Sequence, residues 1–136
     1  MTLLLDIQAL VWLTENHPRL GNRARRACDV ALAANELAVP TIAFFELGEA
    51  LRRGRIRSRE SVRDWRSRIL ALGLREVALS AEVAIRATDL ENLPGDPIDR
   101  LIVGMALIEQ ATLLSADLRI LSWPGSLVRQ DANREL

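Results

Sequence analysis

Four acidic residues lie at positions where a carboxylate could take part in chemistry. Asp6 directly follows the apolar run LLL, and Asp117 comes shortly after the apolar segment TLL. Asp99 lies at the start of a long apolar segment, and Glu46 follows the run IAFF, where an uncompensated charge is costly. Each acid also has a purely structural explanation: three could cap a helix or favour its dipole, and Glu46 could face solvent.

If the four acids lie together, their mutual repulsion raises each pKa unless a cation intervenes. The sequence has no lysine, since all 18 basic residues are arginine, and we expect arginine alone to enter such a cluster rarely. With one histidine, His17, and one cysteine, Cys28, the ligands would be oxygens, which suit Mg²⁺ or Mn²⁺. Such an ion can activate a water and bind a scissile phosphate, so these residues predict phosphodiester hydrolysis.

Composition narrows the class of protein. A chain of 136 residues with 49% hydrophobic and 26% charged residues is typical of one globular domain, here residues 1–136. No apolar run is long enough for a membrane span and no basic segment precedes the first one, so we expect a cytoplasmic protein. The absence of lysine excludes a Walker-A phosphate loop and Schiff-base chemistry.

The apolar periodicity alternates between strands and helices. It predicts strands at 2–5, 36–40, 74–79, 112–115 and 127–129. It predicts helices at 7–14, 22–35, 42–53, 59–72, 81–90, 97–110 and 118–121, with caps that include Thr41, Ser58, Ser80 and Asp96. This alternation indicates an α/β sandwich with a mainly parallel sheet. Ligands of such sheets bind beyond the carboxyl ends of the strands, where the four acids are then expected to meet.

Within the segment GDPIDR, two acids lie close together and need different roles. Asp96 precedes Pro97, which suits the first helical position, so Asp96 is predicted to be the helix N-cap. Asp99 lies three residues further on, on the side that a substrate at the helix N-terminus would meet. We therefore predict that Asp99 is the ligand and that Asp96 supports it.

With these acids placed, the sequence resembles PIN-domain ribonucleases, and more narrowly the VapC-type toxins of bacterial toxin–antitoxin pairs. The stretches LLLDIQALVWL, AFFELGEA and GDPIDRLIVGMALIEQATLLSAD carry the resemblance, which covers nearly the whole chain. It implies a PIN-like α/β/α sandwich with a short, mainly parallel central sheet, and an endoribonuclease dependent on Mg²⁺ or Mn²⁺. The resemblance assigns the ion to Asp6, Glu46, Asp99 and Asp117, with support from Ser115. It further implies a homodimer that a cognate antitoxin silences.

The sequence departs from the family at three positions. Ile7 and Gln8 replace a hydroxyl residue and a histidine, and Gly95 replaces a basic residue.

Other interpretations of the acids are possible. Receiver and haloacid-dehalogenase-like domains also place an Asp after the first strand, but both require a lysine. A dinucleotide-binding fold requires a glycine-rich turn, which DIQAL lacks. The remaining alternative is a catalytically silent PIN-like module that binds RNA or a protein partner.

An arginine-dense segment, residues 52–68, has eight arginines against Glu60 and Asp64, a local excess of six positive charges. Such an excess favours an anionic partner, either RNA phosphates or an acidic antitoxin segment. Trp65 within it could stack on a base or pack at a dimer contact. The alternative is a solvated helix surface with ion pairs inside the segment. The predicted contact residues are Arg52, Arg53, Arg55, Arg57 and Arg59.

Overall fold

The computed structural model describes residues 1–94 and 96–133, which form alternating strands and helices. The strands are β1 (Leu3–Leu5), β2 (Leu37–Pro40), β3 (Arg75–Val77), β4 (Thr112–Ser115) and β5 (Arg129–Asp131). The helices are α1 (Ile7–Thr14), α2 (Asn22–Ala33), α3 (Ile42–Arg52), α4 (Val62–Ala71), α5 (Ala81–Thr88), α6 (Pro97–Ile108) and α7 (Leu118–Leu121). No helix in this described part of the chain is long and apolar enough to cross a bilayer.

The five strands form one sheet in the order β3-β2-β1-β4-β5, and every neighbouring pair is parallel. Strand β1 lies at the centre, with Leu3 opposite Leu37 on one side and Thr112 on the other. The fully apolar sequence of β1 follows from this position, because a central parallel strand is covered on both faces. The predicted parallel α/β sheet is confirmed.

Alternation along β1 divides the core into two layers. Leu3 and Leu5 pack against α1 to α4 on one face, whereas Leu4 packs against α5, α6 and α7 on the other. The chain is therefore an α/β/α sandwich, as the resemblance implied. The side chains of Leu4 and Leu5 are completely buried, so the strand that ends at Asp6 cannot shift its register without exposing core residues.

The side chain of Arg100 fixes the start of α6 against α5. Its guanidinium donates to the carbonyl oxygens of Ala87, Leu90 and Leu93 at 3.1, 2.6 and 3.1 Å. These acceptors lie at the end of α5 and in the connection that follows it, where the carbonyls have no helical partner. Arg100, part of the GDPIDR segment, thus positions the two aspartates beside it.

Some element boundaries differ from the predictions. Ser61, not Ser58, caps α4, because the Ser61 Oγ accepts from the Asp64 N–H at 3.1 Å. Ser58 instead accepts from the Glu60 N–H in a local turn. Thr41 precedes α3 with helical dihedral angles and makes no capping hydrogen bond, so its predicted capping role is wrong. The last strand lies at Arg129–Asp131 rather than at 127–129.

Candidate functional site

The carboxyl ends of β1 and β4 open into a cavity of about 390 Å³. All four predicted acids line this cavity, together with Asp96. Asp6 follows β1 directly, and Asp117 follows β4 after one residue, while α3 and α6 contribute the other two. The expectation that the four acids lie together at one edge of the sheet is therefore confirmed, whereas their role as metal ligands stays a prediction. The four are Asp6, Glu46, Asp99 and Asp117.

Three of the aspartates at the cavity are also helix caps. The Asp6 Oδ1 accepts from the Ala9 N–H at 2.8 Å, which begins α1. The Asp117 Oδ1 accepts from the Arg119 N–H at 2.9 Å, and the Asp96 Oδ1 accepts from the Asp99 N–H at 3.1 Å. Capping therefore explains part of each position, and Asp96 is the N-cap of α6 as predicted. A capping bond also fixes the orientation of each carboxylate at the cavity wall.

Burial and the charges of neighbouring carboxylates raise the pKa of three acids at the cavity. Burial raises the pKa of Asp6 to about 6, although hydrogen bonds from the Ser115 side chain and the Ala9 N–H oppose this rise. Burial also raises the pKa of Glu46 to about 8, with further contributions from the charges of Asp99, Asp96 and Asp6. The pKa of Asp99 is raised by burial first and then by Asp96 and Asp117.

Glu46 has a buried oxygen without a hydrogen-bond partner. Among the residues that the structure describes, its Oε1 is the buried side-chain oxygen or nitrogen that makes no hydrogen bond. A buried carboxylate oxygen without a donor is costly, and such atoms in folded proteins usually have a partner. This orphaned oxygen lies at a cavity lined by five acidic side chains, and it fits a cation as the missing partner.

Ser115 lies completely buried between two of the acids. Its Oγ accepts from the Asp117 N–H at 3.0 Å, and its side chain forms the hydrogen bond that lowers the pKa of Asp6. One hydroxyl therefore links the ends of β1 and β4, which is the supporting position expected for Ser115.

Arg119 enters the cluster, although the sequence led us to expect that arginine would rarely do so. Its Nη2 lies 2.9 Å from the Oδ2 of Asp99 and 2.9 Å from the Oδ2 of Asp117. Its hydrogen bonds are the main reason that the pKa of Asp117 is lowered. Within residues 1–94 and 96–133, no three acidic, histidine or cysteine side chains converge as a ready-made metal site.

The sequence contained a signal for this arginine, namely its spacing. Arg119 follows Asp117 by two residues at the start of a short helix, so a long side chain can turn back over the cap. The prediction grouped the acids by the strand ends that they follow and gave no role to Arg119.

The arginine-dense segment is less positive than its sequence indicated. Arg52 and Arg53 pair with Glu49, at 2.9 and 3.5 Å, and Arg66 pairs with Glu76 at 2.6 Å. Glu49 and Glu76 lie outside the segment, so the excess of six charges is partly compensated. Arg68 pairs inside it with Glu60, at 2.9 Å.

The other predicted contact residues line two further cavities. Arg55, Arg57 and Arg59 make no ion pair within the described chain. Arg53 and Arg55 line a cavity of about 550 Å³ that shares Glu46 and Asp96 with the acidic cavity. A third cavity, of about 730 Å³, is lined by Arg57 and Arg59.

Trp65 does not lie on the surface as a stacking platform. Its side chain is 4% exposed and packs edge-on against Phe44, with ring centroids 6.0 Å apart. The suggestion that Trp65 stacks on a base is therefore wrong, and its role is to fill the core beneath α4.

Comparison with known families identifies the family to which this fold belongs. A family model for the PIN domain matches residues 3–123, so the chain belongs to the PIN-domain family. It is also 35% identical over 122 residues to Ribonuclease VapC22 of Mycobacterium tuberculosis, covering 89% of this chain and 91% of that protein.

Solved structures show the same fold. The chain matches VapBC2 from Rickettsia felis bound to a promoter DNA fragment with a TM-score of 0.71 and 19% identity. It matches DNA-bound VapBC from Salmonella typhimurium with a TM-score of 0.69 and 17% identity. Each match covers 96% of this chain and 98% of the other chain. At these identities the likeness shows the fold alone.

Proposed function

We propose that residues 1–136 form a single PIN domain that is a metal-dependent endoribonuclease, the toxin of a type II toxin–antitoxin pair. The observation that carries this proposal is that four carboxylates line one cavity of a PIN domain: Asp6, Glu46, Asp99 and Asp117. The relationship to a protein described as a ribonuclease supports RNA as the substrate.

The carboxylates present fit Mg²⁺ or Mn²⁺. Oxygen-only ligands suit hard cations, and the buried Oε1 of Glu46 has no other partner in the described chain. The four acids would hold the ion, which when bound supplies an activated water and a positive charge at the scissile phosphate. Ser115 orients Asp6 and Asp117 by hydrogen bonds, and Asp96 orients the start of α6.

Cleavage of RNA with added and removed metal tests this function. Asparagine keeps the capping oxygen of Asp6 but removes its charge, so Asp6→Asn and Asp99→Asn probe the site without removing a cap. We expect both variants to lose Mn²⁺-dependent cleavage, by roughly 100-fold or more, because a charged ligand is lost. Asp89→Asn is the matched control, since Asp89 ends α5 outside the acidic cavity.

The outcomes separate an enzyme from a binding module. Cleavage that EDTA abolishes, Mn²⁺ restores and Asp89→Asn spares supports the enzyme. RNA binding without cleavage at any Mg²⁺ or Mn²⁺ concentration would instead identify the silent PIN-like module. If Asp96→Asn abolishes cleavage and Asp99→Asn does not, the roles of these two residues are reversed.

The same proposal includes partners. A cognate antitoxin would silence the enzyme by covering the acidic cavity, and the domain would assemble as a homodimer in the cytoplasm, where its RNA substrate lies. The VapBC complexes that share the fold support the antitoxin. Growth arrest on induction, relieved by co-expression of a neighbouring small open reading frame, tests the antitoxin. Light scattering on the purified chain tests the dimer.

A further inference from the structure

Arg119 stands between two carboxylates that come from different elements. Asp99 lies in the first turn of α6, and Asp117 caps α7, yet one nitrogen, the Arg119 Nη2, bonds an oxygen of each at 2.9 Å. The Nε adds a bond to the Asp117 Oδ1 at 3.2 Å. A planar guanidinium makes such forked contacts, which a single ammonium group cannot reproduce.

The Arg119 side chain is more exposed to solvent than the two carboxylates that it bonds. The Arg119 side chain is 50% exposed, while Asp99 and Asp117 are 16% and 24% exposed. The backbone N–H of Arg119 bonds the Asp117 Oδ1 separately, so α7 stays capped if the side chain moves. Contacts of a half-exposed ion pair are weak enough to be exchanged for a stronger partner. The guanidinium can therefore leave the cavity without unfolding the helix that carries it.

We propose that Arg119 is an internal counter-ion that holds Asp99 and Asp117 in the metal-free protein and competes with the divalent ion for them. This inference rests on the proposed function, because the same two carboxylates are assigned to the ion there. Arg119 thereby sets the concentration of Mg²⁺ or Mn²⁺ at which the site fills. The ion replaces a cation that is already present, and the cluster is never left with all of its charge uncompensated.

A second arginine at the cavity provides a matched control. Arg19 lines the same cavity, but its guanidinium lies over the Trp12 ring, 5.1 Å from the ring centroid. No carboxylate pairs with Arg19 in the described chain. Replacing Arg19 with Gln changes the net charge near the cavity by the same amount as replacing Arg119, without releasing an acid.

Calorimetric titration of Mn²⁺ into the metal-free full chain, without RNA, tests the competition. We expect Arg119→Gln to bind Mn²⁺ roughly tenfold more tightly than the wild type, because a charge-assisted contact no longer has to be broken. Arg19→Gln should leave the affinity unchanged. Arg119→Lys, which keeps the charge but loses the fork, should lie between the wild type and Arg119→Gln.

Thermal unfolding gives a second measurement that is independent of cleavage. In EDTA, Arg119→Gln should melt below the wild type, since Asp99 and Asp117 lose their counter-charge. In saturating Mn²⁺ the difference should disappear, because the ion now compensates both proteins. Should Arg119→Gln prove unfolded in EDTA, the order of Mn²⁺ affinities between the wild type and Arg119→Lys decides.

The outcomes distinguish this inference from the proposed function. If the wild type and Arg119→Gln bind Mn²⁺ equally, or the variant binds more weakly, the counter-ion role is overturned while the nuclease stands. Tighter binding by Arg119→Gln without any RNA cleavage supports the counter-ion role and contradicts the nuclease. If no variant binds Mn²⁺, both are overturned.

Discussion

At the scale of single residues, the cavity acids differ in their surroundings although they share a charge. Asp117 has a guanidinium partner that lowers its pKa, whereas Glu46 has a buried oxygen with no partner in the described chain. Asp6 is the most buried of the four and is held by a cap and a hydroxyl. The free-energy cost of burying charge in the cluster therefore falls mainly on Glu46 and Asp6.

The raised pKa of Glu46 predicts how the metal-free protein responds to pH. Its pKa is 4.5 when unperturbed and about 8 in the folded chain, so the folded state binds the proton more tightly. The stabilising contribution is complete below pH 4.5 and is lost as the pH rises through 8. In EDTA, the wild type should therefore lose unfolding free energy from pH 5 to pH 8.5 relative to Glu46→Gln, as measured by urea denaturation.

A second glutamate on α3 controls for the loss of charge alone. Arg52 lowers the pKa of Glu49, so the contribution of Glu49 is lost only as the pH falls into the acidic range. Glu49→Gln should therefore show the same pH slope as the wild type between pH 5 and pH 8.5. A Glu46→Gln slope that matches the wild-type slope would contradict the raised pKa.

The sequence was sufficient to place the acids, whereas the spacing of Arg119 from Asp117 indicated only that its side chain could reach the cap. Asp6 and Asp117 could be placed because the carboxyl ends of parallel strands share an edge, and this holds for any sequence with that topology. Where the Arg119 side chain lies depends on a choice among rotamers that only the assembled cavity decides. The burial of Trp65 was missed for a related reason, since the face of α4 that meets the core depends on where the helix begins.

At the scale of elements, the start of α4 shows which sequence feature decides between two possible N-cap serines. Ser58 and Ser61 both suit an N-cap, but only Ser61 is followed three residues later by an acid, Asp64. That spacing resembles a capping box, and the structure caps α4 with Ser61. Strand and helix order could be predicted throughout, whereas this boundary required weighing the third residue after each serine.

The contact between α5 and α6 depends on a glycine that the sequence did not single out. A Cβ added at Gly104 would lie 3.2 Å from the Val83 carbonyl oxygen and 3.4 Å from the Ala87 nitrogen. These neighbours are backbone atoms, so relief requires the two helices to separate. Because α6 carries Asp96 and Asp99 at its start, this close packing helps to position the cavity acids.

A pair of glycine substitutions tests that packing. Gly104→Ala should lower the free energy of unfolding by about 1 kcal/mol, because backbone strain exceeds the gain in helix propensity. Gly48→Ala in α3 should raise it by up to about 1 kcal/mol, since that Cβ meets only the Val62 side chain at an ordinary 3.8 Å. Chemical denaturation of both variants measures the difference. Equal stabilisation by both would show that α5 and α6 separate without cost.

At the scale of the whole molecule, zero net charge conceals an uneven distribution. Acids line one cavity at the carboxyl ends of β1 and β4, and arginines without ion pairs in the described chain line two other cavities, one of which shares residues with the acidic cavity. Arg55 lines a cavity that also contains Glu46 and Asp96, so a bound polyanion could lie on the arginines while reaching the acidic cavity. This arrangement suits an RNA strand, because the arginines can bind its phosphates while one phosphodiester bond lies at the acidic cavity.

These arginines should dominate the salt dependence of RNA binding. We expect the triple variant Arg55→Gln, Arg57→Gln, Arg59→Gln to reduce the slope of log affinity against log salt by about 2, at roughly 0.7 for each phosphate that is no longer neutralised. The matched control replaces Arg52, Arg53 and Arg66, which already pair with Glu49 and Glu76. This control removes the same charge, but arginines that already have a carboxylate partner neutralise fewer phosphates. Their loss should therefore change the slope less than half as much. Fluorescence anisotropy across a salt series measures both, in an Asp99→Asn background that prevents cleavage. Equal changes of slope in the two triple variants would mean that RNA senses only the net charge and not these three side chains.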